Sequence, residues 1–470
     1  MEPAQEPEPP LTYDPTPLSW RVAILSGVVA AGAIVYFGCD AINHHVRALI
    51  GVVCFIAIVA AFSMNLRAVR WRTVGWGVAL QLALAVFIIK TSVGAKVFQV
   101  IGSVVEKFLS FTYSGSSFVF GKLVDGKTLE KVFGEGNGFI FAFAALPTII
   151  FVSSFFTVLY YFGILQFIVR LMAKAMMYVL ATSGAESLSA AANVFMGQTE
   201  APLIVKPYVP RMTRSELLAM MVGGMATISG GVMAIYIQMG ADPVAILATS
   251  VMAAPCGLYL SKLMLPETQV PETHGRAQIA SEKLHANAID AAAAGASDGL
   301  HLALNVAAMI IAFLAFIALI DALLGLIHHG LSLTTIFSAL FYPVALLMGA
   351  ETADASKLAD LLGIKLVANE FVAYAKLTEP AIDGGYAPFK NAEGVLTYSA
   401  DTMSHHGLIL ATYALTGFAN IASIGIQLGG IGSLAPTRRA DLASLGGRAL
   451  LCGFIATLIN ASIAGILMGG

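Results

Sequence analysis

The sequence predicts an all-α polytopic membrane protein in which two inverted repeats each combine a re-entrant hairpin with a broken transmembrane helix. Three observations carry that expectation. Of 470 residues, 58% are hydrophobic and 11% charged, with a mean hydropathy of +0.81, more apolar surface than a soluble core of this length would use. Within 190–209, Glu200 stands beside Gln198 and Thr199 in an otherwise apolar run, and Pro202, Pro207 and Pro210 forbid a continuous helix. A carboxylate near the bilayer centre costs about 2.5–3.5 kcal/mol even on the lenient insertion scale, so such residues face a cavity and mark a solute or ion path. The same stretch also fits a cytoplasmic loop between two spans. The third observation is internal similarity: 224–230, GMATISG, reads against 417–423, GFANIAS, with Thr227 and Asn420 at the same place.

The net charge of −2 excludes a basic nucleic-acid surface as the main business of the chain. Cys39, Cys54, Cys256 and Cys452 are scattered, without metal-ligand spacing, and read as small packing residues.

Taken in order, 1–20 is an acidic, proline-rich cytoplasmic tail, and 22–37 reads as a retained first span because acids stand where a signal peptide carries positive charge. The second span is 48–64. Arg67, Arg70 and Arg72 follow and place that turn, and with it the N-terminus, in the cytoplasm. The third span is 73–89, at about the minimum length for ~30 Å of hydrocarbon. The amphipathic, Gly/Ser-interrupted 92–131 suits the outer interface. Residues 136–169 contain no Asp, Glu, Lys or Arg and hold one long span, and 171–189 is interfacial, leading into the re-entrant stretch. Spans at 217–241 and 243–261 precede the polar segment 266–298, which is assigned to the cytoplasm. The seventh span is 299–320. A second broken region covers 331–349 and 357–377, and spans at 402–437 and 449–468 bring the total to nine, with the C-terminus outside.

Each repeated motif is preceded by a broken segment with one buried acid, Glu200 in the first and Glu370 in the second. The first re-entrant segment opens from the cytoplasm and the second from outside. Inverted repeats with discontinuous helices near the midplane are the signature of a secondary transporter. The small residues of ATISGG (226–231) and FANIASIG (418–425) would loosen the backbone and expose carbonyls to a cation, although membrane helices also use small residues for ordinary packing.

NVFMGQTEAPL from Asn193, LPET at 265–268, ANEFVAY at 368–374 and GFANIASIGIQLGGIGSLAPTRR from Gly417 together resemble the concentrative nucleoside transporter family, bacterial type, from about Ala48 to the C-terminus. The resemblance implies a homotrimer in the plasma (inner) membrane that imports nucleosides with a sodium or proton gradient by an elevator-like motion of a transport domain against a scaffold. It implies an extra N-terminal span at 21–38 outside the family pattern, scaffold elements at 47–169 and 299–327, and repeat 1 at 170–264 with its hairpin near 185–207. The polar segment 265–298 and repeat 2 at 331–470, with its hairpin near 355–378, complete the division. It further implies that Gln198, Thr199, Glu200 and Val232 surround the base, and that Glu370, Asn420 and Ser423 hold the ribose with Phe418 lining the site. Na⁺, the one coupling ion expected, falls on Asn193, Thr227, Met196 and Ile228. Thr227 departs from the serine of similar proteins; it keeps the hydroxyl and adds a methyl.

The chemistry points the same way. A nucleoside site needs an acceptor-only carboxylate for hydroxyl protons, an amide for the base edge and an apolar wall, and Glu370, Gln198, Asn420 and Phe418 supply that set. An intramembrane enzyme would need an accompanying HExxH, GxSxG or paired-Asp motif, and none is present. Gly121-Lys122 is no phosphate loop, since Ser116 replaces the first glycine and Leu123 the Ser/Thr. The histidine pairs at 44–45, 328–329 and 405–406 lie at span ends and read as interfacial. Proton coupling, or another polar solute, are the alternatives.

Overall fold

The computed structural model describes residues 15–133, 140–275, 285–381, 384–390 and 396–468; most of the leading tail and 276–284 of the polar segment lie outside the described residues. The chain is all-α and polytopic, its only described strands being a two-residue pairing of Phe389–Lys390 with Leu396–Thr397. Eight helical stretches among the described residues are long and apolar enough to cross a membrane, and a ninth is reached if the bent pair Leu333–Leu347 and Thr352–Val367, turned by 119°, counts as one. The 402–437 stretch is divided instead. Its halves, His405–Leu415 and Ile421–Leu434, have 11 and 14 residues, and neither spans ~30 Å of hydrocarbon alone.

Three helix bounds differ from the expected spans, each for a local reason. The charge-free 136–169 run does not continue as one helix. Phe141–Tyr161 ends at Gly163, whose φ of +77° turns the chain into a separate helix, Ile164–Leu180, so the 169/170 boundary falls inside the latter. Ala288–Ile327 is a single helix of 40 residues, because the alanine run at 291–294 is too strong a helix former to end it at 299. At 1.5 Å per residue it is about 60 Å long, roughly twice the hydrocarbon thickness. The last helix, Arg439–Leu467, likewise starts before 449.

Packing sorts the helices into two sets. Phe141–Tyr161 lies along Ala288–Ile327. There a Cβ on Gly295 would come within 2.5 Å of the Thr157 hydroxyl, and the Ser154 hydroxyl donates to the Ala292 carbonyl at 2.8 Å. The other set gathers around Arg439–Leu467, with His44–Ala61, Arg214–Ala226, Pro243–Met264 and His405–Leu415 against it, and Trp71–Lys90 on Pro243–Met264. A buried polar net joins three of these helices. Gln81 Nε2 donates to Asn460 Oδ1 at 2.6 Å, Tyr259 donates to Gln81 Oε1 at 2.8 Å, and Asn460 Nδ2 reaches Thr249 Oγ1 at 3.3 Å. Leu18–Phe37 leans on His44–Ala61 and Leu333–Leu347. It is pinned by Thr16, whose hydroxyl donates to the Ser63 carbonyl at 2.7 Å, and by Tyr36 set edge-on to Tyr342 at 5.9 Å.

Candidate functional site

Four short helices begin or end at the middle of the second set, and their caps are written in the sequence. Arg214–Ala226 starts with a capping box, Thr213 with Glu216, and stops at Thr227; after Thr227-Ile228-Ser229 the half-helix Gly230–Gln238 resumes with Ser229 as its cap. His405–Leu415 stops at Thr416, and Ile421–Leu434 resumes with Asn420 as cap. The two breaks cross. The Phe418 N–H donates to the Thr227 carbonyl at 3.1 Å. Gly417, at φ +155°, lies so close that a Cβ there would sit 3.1 Å from the Met225 and Ala226 carbonyl oxygens.

Thr352–Val367 turns at Ala368 into Glu370–Thr378, whose cap is Asn369 and whose first residue is Glu370. A buried hydrogen-bond chain joins this turn to the other pieces. Asn420 Nδ2 donates to the Glu370 carboxylate at 2.8 Å, the Ser423 N–H donates to Asn420 Oδ1 at 2.9 Å, and Gln198 Nε2 donates to Ser423 Oγ at 3.2 Å. Glu370, Asn420 and Ser423 are 3%, 3% and 1% exposed, and Gln198 Oε1 has no partner among the described residues. The carboxylate also sits at a helix N-terminus, where the peptide dipoles favour negative charge. Val232 is buried in the first turn of Gly230–Gln238, Thr199 packs on the backbone of Gly430, and Phe418 is half-buried in the second break.

Glu200 is not part of the chain. It accepts the Gly197 N–H at 3.0 Å and is exposed into a cavity of about 520 Å³. Met196, Phe195 and Ser229 on one side and Phe156, Thr157 and Asp298 on the other share that cavity, so it lies between the two helix sets.

Asn193 and Thr227 meet around Gly223. The Asn193 amide would touch a Cβ built on Gly223, at 3.0 Å, and the Thr227 hydroxyl donates to the Gly223 carbonyl at 2.8 Å. Both residues are at most 1% exposed, and Asn193 Oδ1 has no partner among the described residues. The Met196 and Ile228 carbonyls receive no hydrogen bond among the described residues either. An orphaned amide oxygen, a hydroxyl with free lone pairs and two free carbonyls fit a hard cation.

Some features escaped the sequence reading. Asp360, fully buried, holds Lys376 at 2.7 Å and accepts the Tyr386 hydroxyl at 2.8 Å, tying together the two arms of the second hairpin. At the mouth of the first, Lys262 binds Glu186 at 2.6 Å, and the Ser183 hydroxyl donates to Glu216 at 2.6 Å, interlocking two capping boxes. Histidine pairs far apart in the chain adjoin, with the His44 ring 5.4 Å from that of His406. No spacing along the chain signals these pairs, since residues distant in sequence make them.

Crossed helix breaks holding a buried polar chain, in a polytopic all-α protein, are the architecture of a secondary transporter. Comparison with known proteins makes the class definite. Residues 50–123 and 245–465 match the N-terminal and C-terminal families described as Na⁺ dependent nucleoside transporter, and 142–243 match one described as nucleoside recognition. The chain is 40% identical over 464 residues to mouse sodium/nucleoside cotransporter 1, covering 95% of this chain and 68% of that protein. It is 41% identical to an uncharacterized transporter of Haemophilus influenzae, covering 90% of this chain and 97% of that one. The solved structure of CNTnw in an inward-facing substrate-bound state superposes with a TM-score of 0.83 at 38% identity, over 90% of this chain and 97% of that one. The chain belongs to the concentrative nucleoside transporter family, whose members are transporters and not enzymes.

Proposed function

We propose that the chain imports nucleosides in symport with Na⁺ by alternating access. The observation that carries the reading is the buried chain from Gln198 through Ser423 and Asn420 to Glu370, which offers a nucleoside an amide, a hydroxyl and an acceptor-only carboxylate in one place. Gln198, Thr199, Glu200 and Val232 take the base, and Glu370, Asn420, Ser423 and Phe418 take the ribose. The Gln198–Ser423 contact opens as substrate enters and is replaced by bonds to it. Na⁺ is held by the Asn193 and Thr227 side chains and the Met196 and Ile228 carbonyls, and its inward movement contributes ~2.3 kcal/mol per 100 mV.

The moving part is the set gathered around Arg439–Leu467, including the two hairpins opening as re-entrant loops from opposite sides. His44–Ala61 and Trp71–Lys90 pack on that set and travel with it, so the scaffold reduces to Phe141–Tyr161, Ala288–Ile327 and the interfacial helices. Exposed Leu304, Ile311, Leu319 and Leu326 on Ala288–Ile327 suit both lipid and the central contacts of a homotrimer in the plasma membrane. The N-terminus is cytoplasmic and the C-terminus outside. An elevator-like motion is supported by the relatives' structures, which carry inward-facing, outward-facing and intermediate states.

Radiolabelled nucleoside uptake into proteoliposomes tests the reading. An imposed inward Na⁺ gradient is expected to drive accumulation. Uptake indifferent to Na⁺ that follows a pH gradient instead would move coupling to a carboxylate, and absence of nucleoside uptake under either gradient would refute the substrate.

A further inference from the structure

Lys365 is a buried basic residue with no part in the site so far described. It stands in the last turn of Thr352–Val367, just ahead of the turn that leads to Glu370, and its side chain is 0% exposed. Its Nζ donates to the Ala414 carbonyl at 2.7 Å and to Thr457 Oγ1 at 2.9 Å, and it lies over the Phe454 ring, 5.5 Å from the centroid. Both oxygens are open to it for a structural reason. The Phe418 N–H, which would bond the Ala414 carbonyl if His405–Leu415 ran on, goes to the Thr227 carbonyl instead. The Thr457 hydroxyl gives its own proton to the Phe454 carbonyl at 2.8 Å, so its oxygen is free to accept.

An ammonium has three N–H groups, and here they meet a carbonyl, a hydroxyl and an aromatic face; a neutral amine has only two. The Ala414 carbonyl also lies in the last turn of its half-helix, where the peptide dipoles favour positive charge. These surroundings hold Lys365 as a cation, although no carboxylate pairs with it among the described residues. The rest of the hairpin balances it. Thr352–Val367 and Glu370–Thr378 carry three acids, Asp354, Asp360 and Glu370, and three lysines, Lys357, Lys365 and Lys376. Asp354 meets Lys357 at 3.8 Å, and Asp360 meets Lys376 at 2.7 Å. Glu370 and Lys365 remain, one of each sign, both buried, on either side of the turn at Ala368.

We infer that Lys365 is the fixed countercharge of Glu370, keeping the second hairpin electrically neutral as it crosses the membrane field. The inference rests on the symport reading and deepens it. A charge moved through the membrane potential gains or loses energy in proportion to its size. Without Lys365 the Glu370 carboxylate would cancel Na⁺ in the loaded carrier, and the potential would act on the empty one instead. With Lys365 aboard, the hairpin adds no charge of its own, and the potential acts on the Na⁺ that travels inward with the nucleoside.

The test is voltage-jump recording of transient charge from the full chain in proteoliposomes fused to a planar bilayer, with neither Na⁺ nor nucleoside present, so that only the empty carrier moves. Lys365→Gln keeps an N–H donor and removes the charge. It is expected to make the charge moved by the empty carrier more negative, by at most about one elementary charge. Glu370→Gln should shift it by a similar amount in the opposite direction, and the double variant should return it to the value of the unmodified protein. A purely structural role for Lys365 would produce no such pair of opposite shifts. If Lys365→Gln alone does not fold, the double variant set against Glu370→Gln isolates the same charge. No shift on removing Lys365, or a shift of the wrong sign, in protein that still transports would overturn the inference alone. Absence of Na⁺-driven nucleoside uptake by the unmodified protein would instead remove the symport reading, and this inference with it.

Discussion

Replacing Glu370 by Gln preserves shape and removes the charge, and the structure sets the size of the effect. The side chain is 3% exposed and its carboxylate takes the Asn420 amide at 2.8 Å, so little water is present to screen the loss. A hydrogen bond to a charged group contributes about 1.5–3 kcal/mol, which is roughly 10- to 150-fold in nucleoside affinity. The new amide also presents donors where the Asn420 amide needs an acceptor. Glu200→Gln should behave differently. Glu200 is exposed into the 520 Å³ cavity and its one described bond is to the Gly197 N–H at 3.0 Å, so water compensates for much of the loss and the expected effect is below about 10-fold. Calorimetric titration of nucleoside into each variant, with chromatographic proof that both keep the oligomeric state of the unmodified protein, measures the pair. Unchanged affinity in folded Glu370→Gln, or equal losses in the two variants, would refute the assignment of Glu370 as the buried anchor.

Asn193→Ala and Thr227→Ala should each raise the Na⁺ concentration for half-maximal uptake, whereas Thr227→Ser, which keeps the hydroxyl, should not; an unaltered Na⁺ curve in both alanine variants would discard the proposed ion ligands. Gly230→Ala would place a Cβ 2.7 Å from the Phe156 ring across the boundary between the helix sets, an overpacking of about 1–3 kcal/mol whose larger part acts in states where the two meet, the Phe195 carbonyl at 3.1 Å being a milder contact on its own side. Uptake should slow, and a second change, Phe156→Ala, should restore it; failure of the rescue would show that the contact is not what limits the motion. Asp360→Asn strands Lys376 in a largely buried pair and is expected to cost about 2–3 kcal/mol of stability, read as a lower unfolding temperature, with Asp360→Asn/Lys376→Met recovering most of it.

The breaks were legible because backbone chemistry announces itself locally. Thr227 and Asn420 stand where an apolar helix would carry Leu, Ser229 and Asn420 are cap residues, and the prolines after Glu200 leave no helix to continue. The bounds of the long helices were less legible, since Gly163 and the 291–294 alanines act against the hydropathy pattern that otherwise marks a span. Side-chain partners across the fold had no signature at all. Nothing in the spacing of Asp360, Lys376 and Tyr386 tells which acid meets which donor, because those pairs are made by the folding back of the second hairpin and not by any period along the chain. Glu200 and Glu370 look equivalent in the sequence as well, whereas one is exposed into a cavity and the other is bonded to a buried amide.

The crossing of the breaks also has a consequence for biogenesis. The Thr227 carbonyl is satisfied by the N–H of Phe418, and the Met225 and Ala226 carbonyls are covered by Gly417, so the first repeat's unwound turn is completed by backbone that the ribosome makes much later. While the first repeat waits in the membrane its free carbonyls have no partner of their own, and in hydrocarbon that is costly. A nascent chain stalled before Gly417 is thus an orphan intermediate, one the insertion machinery must shelter or quality control will remove. The two halves have to mature as a single unit, however independent their sequences look.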